Sequence, residues 1–172
     1  MKSVVSIIGH DRPGLVSDVT RVANEASLNI EDSRMTVLGG EFAVLMALSG
    51  DSKQLDAFES ALSEMAGDDL AYIFRRTHER ESSAQARPYA ATIIAIDHPG
   101  IVASIASFFA AREINIYDLD TAASRAPHTG TPIFNVRLTA EVPVSIRSRD
   151  LKQAFADFCD EQDLDGSLEA IT

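Results

Sequence analysis

The stretch Asp11-Arg12-Pro13-Gly14-Leu15-Val16 occurs a second time as Asp97-His98-Pro99-Gly100-Ile101-Val102. The offset is 86 residues (97 − 11), and it also relates Asn29-Ile30 to Asn115-Ile116. The same offset holds for the apolar residues before the turn, for the Pro-Gly turn itself and for the later Asn. This constant offset indicates that a whole domain has been duplicated. The two turns are therefore the first place to look for function.

The bulk composition predicts a folded protein made of two small domains. The chain has 172 residues, of which 45% are hydrophobic, so it can bury a core. Each half has enough residues to fold without disulfides, and the single cysteine allows no intramolecular disulfide. The N-terminus reads as a first strand and not as a signal peptide. No stretch approaches the length of a membrane span, so we expect a cytoplasmic protein that contacts no membrane.

The negative charge is spread evenly along the chain. The formal net charge is −11; residues 1–86 carry 8 basic against 14 acidic side chains, and residues 87–172 carry 7 against 12. Lys and Arg contacts to phosphate supply most non-specific affinity for nucleic acid. A uniformly acidic surface therefore argues against direct binding of DNA or RNA.

Hydrophobic periodicity predicts the order β-α-β-β-α-β in the first half. We expect strands at 4–9, 29–38, 42–49 and 70–76, with a Gly-Gly hairpin at 39–40. An apolar stripe after residue 15 predicts a helix with Pro13 in its first turn. A second helix is capped by Asp51 or Ser52 and ended by Gly67. This is the ferredoxin-like arrangement, an antiparallel four-stranded sheet with both helices on one face.

The second half repeats the same order. We expect strands at 90–96, 115–124, 132–140 and 167–171, and helices with apolar stripes after Ile101 and around Phe155. The segment 125–131 is longer than the matching Gly-Gly turn, which makes it a candidate contact loop. The predicted domains are 1–76 and 88–172, joined by a polar linker at 77–87.

Each Pro-Gly turn has features suited to holding an amino acid. A helix N-terminus offers unpaired N–H groups and a positive dipole end to a carboxylate, and Gly14 or Gly100 lets a ligand approach the backbone. The side-chain oxygen of Asn29 or Asn115, or a nearby carboxylate, could accept from the ammonium. The same residues also make an ordinary cap and turn, and the residues alone do not choose between these two interpretations.

Other reactive residue types form no recognisable pattern. The four histidines show no metal-ligand spacing, and Cys159 lies on an apolar stripe as a buried thiol would. Ser17 and Ser104 follow the turns, but no nucleophile elbow or positioned base accompanies them. We therefore expect no catalytic residue, no metal and no cofactor.

The duplicated unit resembles the ACT domain, a small amino-acid-binding regulatory module. The resemblance covers nearly the whole chain, and it is carried by the turn at 11–16 and by the segment Asn29-Ile30-Glu31-Asp32-Ser33-Arg34. It implies two ferredoxin-like βαββαβ domains, with ligand held where the turn of one unit faces a strand of a neighbouring unit. The implied binding positions are Asp11, Gly14, Leu15, Val16, Asn29, Ile30, Asp97, Gly100, Ile101, Val102, Asn115 and Ile116.

A chain of two such units resembles a family of transcriptional repressors of the glycine cleavage genes. That resemblance implies a small amino acid as ligand, glycine among the possibilities, and a DNA-binding activator as partner. Two alternatives stay open from the residues: a ligand-free interaction module that forms a homodimer, and a small enzyme of ferredoxin-like fold.

Overall fold

The computed structural model describes residues 1–77, 85–125 and 129–171. The chain divides into two compact units, the first containing the described residues up to 77 and the second those from 85 onward. Each unit folds as an antiparallel four-stranded sheet with two helices, so the predicted ferredoxin-like class is confirmed.

The first unit follows the predicted order closely. Its elements are β1 (Lys2–His10), α1 (Leu15–Glu25), β2 (Asn29–Leu38), β3 (Glu41–Ser49), α2 (Ser52–Ala66) and β4 (Leu70–Thr77). The strands lie in the order β2-β3-β1-β4. Asp51 caps α2 through a reciprocal capping box with Gln54, and Gly67 ends the helix at a positive φ of 50°.

The second unit repeats this plan with its first three strands longer and its last strand shorter. Its elements are β5 (Ala86–Ile96), α3 (Ile101–Ala110), β6 (Asn115–Arg125), β7 (Pro132–Pro143), α4 (Ser148–Glu161) and β8 (Asp165–Ala170), in the sheet order β6-β7-β5-β8. The predicted contact loop at 125–131 lies partly outside the described residues.

Several predicted boundaries differ from the observed ones: β1 is longer at both ends than 4–9, β7 continues past 140 to Pro143, and β8 lies at Asp165–Ala170 where 167–171 was predicted. Two further differences concern the linker and the first helix. Strand β5 begins at Ala86, four residues before the expected start, because Ala86 and Arg87 pair with Pro143 and Val142 of β7. The predicted linker at 77–87 therefore gives its first residue to β4 and its last two to β5. Pro13 precedes α1 and is not in its first turn, because Gly14 is the N-cap and the helix begins at Leu15.

Each sheet buries one face under its helices and leaves the other face exposed. Along β1, for example, Val5 and Ile7 are buried, whereas Ser6 and Ile8 are exposed. This alternation is the period of two that a half-buried strand requires. We call the sheet face opposite the helices the open face of each unit.

The two cores are filled differently at matching positions. Helix α3 contributes Phe108 and Phe109, where α1 has Val22 and Ala23 at the same register. The two ring centroids lie 5.2 Å apart, and they lie 5.4 and 6.0 Å from the ring centroid of Phe155 of α4. The second core is therefore the more aromatic of the two around its helices.

Candidate ligand-binding site

The two Pro-Gly turns have nearly the same backbone geometry. Gly14 has φ 91° and ψ −9°, and Gly100 has φ 103° and ψ −10°. Both are left-handed conformations that L side chains rarely adopt, so glycine is required at these positions by the backbone. A Cβ placed on either glycine would meet no atom within 4 Å. The space beside each turn is therefore open.

Both glycines act as N-caps without a side chain to cap the helix. Neither α1 nor α3 has a side-chain capping hydrogen bond, in contrast to α2, which Asp51 caps. Helix α4, with Arg147 as N-cap, also lacks a side-chain cap, but no glycine turn precedes it. First-turn N–H groups left uncapped are available to solvent or to a carboxylate.

Each turn is fastened to the hairpin on its neighbouring strands. The backbone N–H of Asp11 donates to the carbonyl of Gly40 at 3.0 Å, and that of Asp97 donates to the carbonyl of Pro132 at 3.1 Å. The hairpin carbonyls were not visible as partners in the sequence, because the two hairpins differ in length and break the 86-residue offset. The turns are thus held in place from outside the repeated stretch.

The electrostatics of the two turns differ. In the first unit Arg12 donates to the carboxylate of Asp18, in the first turn of α1, at 2.7 Å. In the second unit the matching residues are His98 and Ser104, and the Ser104 hydroxyl donates to the carbonyl of Ile101. The first turn therefore already has a carboxylate at the helix N-terminus, whereas the second has none there.

The apolar residues after each glycine divide between core and surface. Leu15 and Ile101 are buried, so only their backbone can face a ligand at the turn. Val16 is 43% exposed, although the sequence pattern placed it in the apolar stripe, and Val102 is half-buried.

The turn and the Asn of one unit lie at opposite ends of its sheet. Asn29 pairs with Ser49, which pairs with Lys2 at the start of β1, whereas Gly14 follows the far end of β1, where His10 pairs with Glu41. Eight residue steps of about 3.3 Å separate these two ends by roughly 26 Å. An amino-acid clamp made by the turn and the Asn of the same unit is therefore wrong.

A β-bulge follows the Asn in both units. The pairing register shifts between Ile30 and Asp32 in β2, and between Ile116 and Asp118 in β6. The extra residue is Glu31 in the first unit and Tyr117 in the second. The repeat thus keeps the bulge while it changes the bulged side chain.

Glu31 uses the bulge to reach across the sheet. Its carboxylate lies 2.8 Å from the Lys2 ammonium. The hydrogen bond from Lys2, together with one from Ser49, lowers the pKa of Glu31. Tyr117 has no carboxylate, so this ion pair belongs to the first unit alone.

The remaining candidates for chemistry show no site within the described residues. No three His, Cys, Asp or Glu side chains of residues 1–77, 85–125 and 129–171 are grouped to hold a metal ion; His78 and His128 lie outside these ranges. Cys159 is buried, and burial raises the pKa of its thiol to about 11. Within the same ranges, none of the helices has the length and apolar character needed to cross a membrane.

Comparison with known proteins bears on the family to which this fold belongs. A family model described as the ACT domain matches residues 3–71. The glycine cleavage system transcriptional repressor of Escherichia coli is 30% identical over 98% of this chain and 89% of its own length.

Two solved structures match over almost their full length. A protein from Galdieria sulphuraria has a TM-score of 0.86 and 29% identity, covering 99% of this chain and 98% of the other. A candidate glycine cleavage system transcriptional repressor has a TM-score of 0.74 and 27% identity, covering 99% and 97%.

The fold and the family model together define an ACT-domain protein. The chain belongs to the family of tandem ACT-domain proteins that contains the Escherichia coli glycine cleavage system transcriptional repressor. A regulatory role follows from that membership.

Proposed function

We propose that the protein senses a small amino acid and regulates transcription of glycine cleavage genes. The observation that carries the proposal is the duplicated turn: a left-handed glycine, an uncapped helix N-terminus and open space occur in both units. Such a turn can receive the carboxylate of an amino acid on its backbone N–H groups. Glycine is the first ligand to test, because the E. coli relative is named for the glycine cleavage system.

The proposed site needs a turn from one unit and an Asn from another. Because Gly14 and Asn29 lie at opposite ends of one sheet, a single unit supplies only half of the clamp. The Asn would therefore come from another unit, in the same chain or in a second copy. In this proposal Asp11, Gly14 and Val16 act with an Asn29-Ile30 or Asn115-Ile116 segment from another unit, and Asp97, Gly100 and Val102 do likewise.

The two turns should differ in affinity. Asp18 places a carboxylate at the N-terminus of α1, where Arg12 partly neutralises it, whereas Ser104 places a neutral hydroxyl at α3. A second carboxylate is received more readily where no first one is present. The turn at Gly100 is therefore proposed as the tighter of the two.

The proposed partner is a DNA-binding transcriptional activator in the cytoplasm. The net charge of −11 is unfavourable for direct contact with phosphates, but it suits the basic surface that a DNA-binding protein carries. Ligand would change the affinity for this partner only through its differential binding to the free and bound states. No catalytic step is part of the proposal.

The test is calorimetric titration of the full chain with glycine and the other small amino acids. We expect binding in the wild type and a loss of about tenfold or more in the double variant Asn29→Ala/Asn115→Ala, because each Asn accepts from a charged ammonium. The control is Asn24→Ala, a change of the same kind on the exposed surface of α1. Absence of binding to every amino acid, or an equal loss in the control, would rule the site out.

A ligand-free interaction module is the second candidate function. It is favoured by the open face of the first unit, where Ile8, Leu45 and Ile73 are all exposed. Contiguous exposed apolar side chains mark interaction surfaces more often than ligand sites. The same titration separates the two functions, since an interaction module would give no heat with any amino acid.

A further inference from the structure

Three cross-strand rows of side chains occupy the middle of the open face of the first unit, between Lys2 at one end of β1 and His10 at the other. Each row runs from β2 through β3 and β1 to β4. The first row is Asp32, Ala47, Val4 and Arg75; the second is Arg34, Leu45, Ser6 and Ile73; the third is Thr36, Ala43, Ile8 and Ala71. Within these three rows the central positions are aliphatic except for Ser6, and the charged side chains lie at the two edges.

The charges of the first row have opposite signs at opposite edges. Asp32 lies on the β2 edge, and Arg75 lies on the β4 edge. Asp32 pairs with Arg34 on its own strand at 2.8 Å, and both side chains stay more than half exposed. Consider two copies whose open faces pack against each other about a two-fold axis parallel to the strands. The rotation sets this row of one copy against the same row of the other copy, with the order of its residues reversed. Asp32 then faces Arg75 of the second copy, and Arg75 faces Asp32.

The shape of the face is complementary to itself about the same axis. Ile73, on the β4 side, is 61% exposed and stands out from the sheet. A depression of about 100 Å³ on the β2 side is lined by Val4, Arg34 and Leu45, among others. The rotation places Ile73 of one copy over this depression in the other. The same rotation sets large side chains against small ones: Leu45 of one copy faces Ser6 of the other, and Ile8 of one copy faces Ala43 of the other.

A different two-fold axis would not give this match. Rotation about an in-plane axis perpendicular to the strands lays β2 on β2, and it reverses the order of the rows. The central row then faces itself, so that Arg34 meets Arg34 of the second copy. Like charges placed opposite one another are unfavourable, so this centred placement is disfavoured, and only the axis parallel to the strands brings Asp32 of one copy against Arg75 of the other.

The open face of the second unit lacks this complementarity. The row that matches the first one consists of Asp118, Thr139, Ala90 and Glu169. It has an acid at both edges, because Glu169 replaces Arg75 and Asp118 replaces Asp32. The same rotation would bring Asp118 against Glu169, which already pairs with Lys152 of α4, so the second unit lacks the acid–base match of the first.

We propose that the open face of the first unit is a homodimer interface, in which two copies pack sheet to sheet about a two-fold axis parallel to the strands. Sheets packed in this aligned way lie about 10 Å apart. Four strands spaced at about 4.8 Å, with roughly eight residues each, give a face of about 500 Å² per copy. That area is at the low end for specific interfaces, so we expect a weak and reversible dimer.

The test is sedimentation velocity of the full chain across a concentration series without added amino acid. The wild type shows a monomer–dimer equilibrium. Ile73→Lys raises the dissociation constant by about a hundredfold, because the two-fold symmetry places the substituted residue in the interface twice. The control is Ser167→Lys, which puts the same charge at the matching exposed position of the second unit and leaves the equilibrium unchanged.

A charge exchange checks the orientation of the two copies. Arg75→Asp alone weakens the dimer about tenfold or more, and adding Asp32→Lys to it restores most of the loss. Far-UV circular dichroism of each variant shows that the fold is kept. A wild type that stays monomeric at the highest concentrations overturns the proposal, as does a dimer that Ile73→Lys leaves intact or that Ser167→Lys weakens equally. A double variant no better than Arg75→Asp overturns the assigned axis.

Discussion

The two units share their backbone in detail and differ in their surfaces. Gly14 and Gly100 have φ values within 12° of each other. Ser27 and Glu113, one unit length apart, both have φ 56°, although only glycine adopts that region easily. The bulges also match. Conformations that are hard to form have thus been kept, even where the side chain on them has changed.

The differences are concentrated on the faces that each unit presents to its surroundings. The first unit has an aliphatic open face with charges of opposite sign at its edges, and the second has acids at both edges. The first turn carries an Arg12–Asp18 ion pair, and the second carries a neutral Ser104. Duplication has therefore preserved two copies of one scaffold, while the surfaces have become suited to different contacts.

The largest expected effect on stability comes from placing in the second core the residue that the first core has at the matching position. Phe109→Ala introduces the residue found at the matching Ala23. Both side chains are fully buried, but the core around Phe109 is built about its ring, so we expect a loss of about 3–5 kcal/mol in unfolding free energy.

Hydrogen exchange followed peptide by peptide would locate this loss. Faster exchange should be confined to the peptides of the second unit, with those of the first as the internal control. A loss spread equally over both units would mean that the two cores do not fold independently.

The equivalence of the turns is sharpened by Gly14→Ala and Gly100→Ala. Each places a Cβ on a left-handed backbone that has space for it, so the penalty is conformational, about 1–2 kcal/mol. Urea denaturation should give the same loss for both variants. Unequal losses would show that the two turns are held by different surroundings despite their shared geometry. Because of this strain, a larger residue at Gly14 or Gly100 would lower stability as well as any ligand binding, so such variants cannot test the ligand site on their own.

The smallest expected effect concerns the bulged residue that the units do not share. The pKa of Glu31 is lowered in the folded state by hydrogen bonds from Lys2 and Ser49, so its stabilising contribution is present above the unfolded pKa near 4.5. It is lost as the pH falls through the folded value. Urea denaturation should find Glu31→Gln slightly less stable than wild type at neutral pH and equal to it in acid. A difference between wild type and Glu31→Gln that persists in acid would assign the effect to something other than the ion pair.

The sequence was sufficient for the architecture because the duplication supplied each element twice. The Pro-Gly register, the capping residue Asp51 and the terminating Gly67 all gave local signals that the structure bears out. The start of β5 was missed because Arg87 and Pro88 look like a linker locally, and only their pairing with Val142 and Glu141 of β7 makes them a strand.

The geometry of the candidate site was less accessible for a physical reason. The spacing of residues along the chain does not show which end of a sheet a residue occupies. Helix α1 carries the chain back along the sheet, so Gly14 and Asn29 are separated by the full length of the sheet. The open-face rows were hidden likewise, since Asp32 and Arg75 become aligned only through the register of four strands.

The bulge at Glu31 and Tyr117 also bears on how this fold can change in length. Because the bulged residue is the extra one, its deletion would leave Asn29-Ile30 and the residues from Asp32 onward paired as before. Removal of a residue elsewhere in β2 would turn part of the strand over and exchange its two faces. The bulges are therefore the positions in the edge strands where evolution or an engineer can remove a residue without exchanging the two faces of the strand.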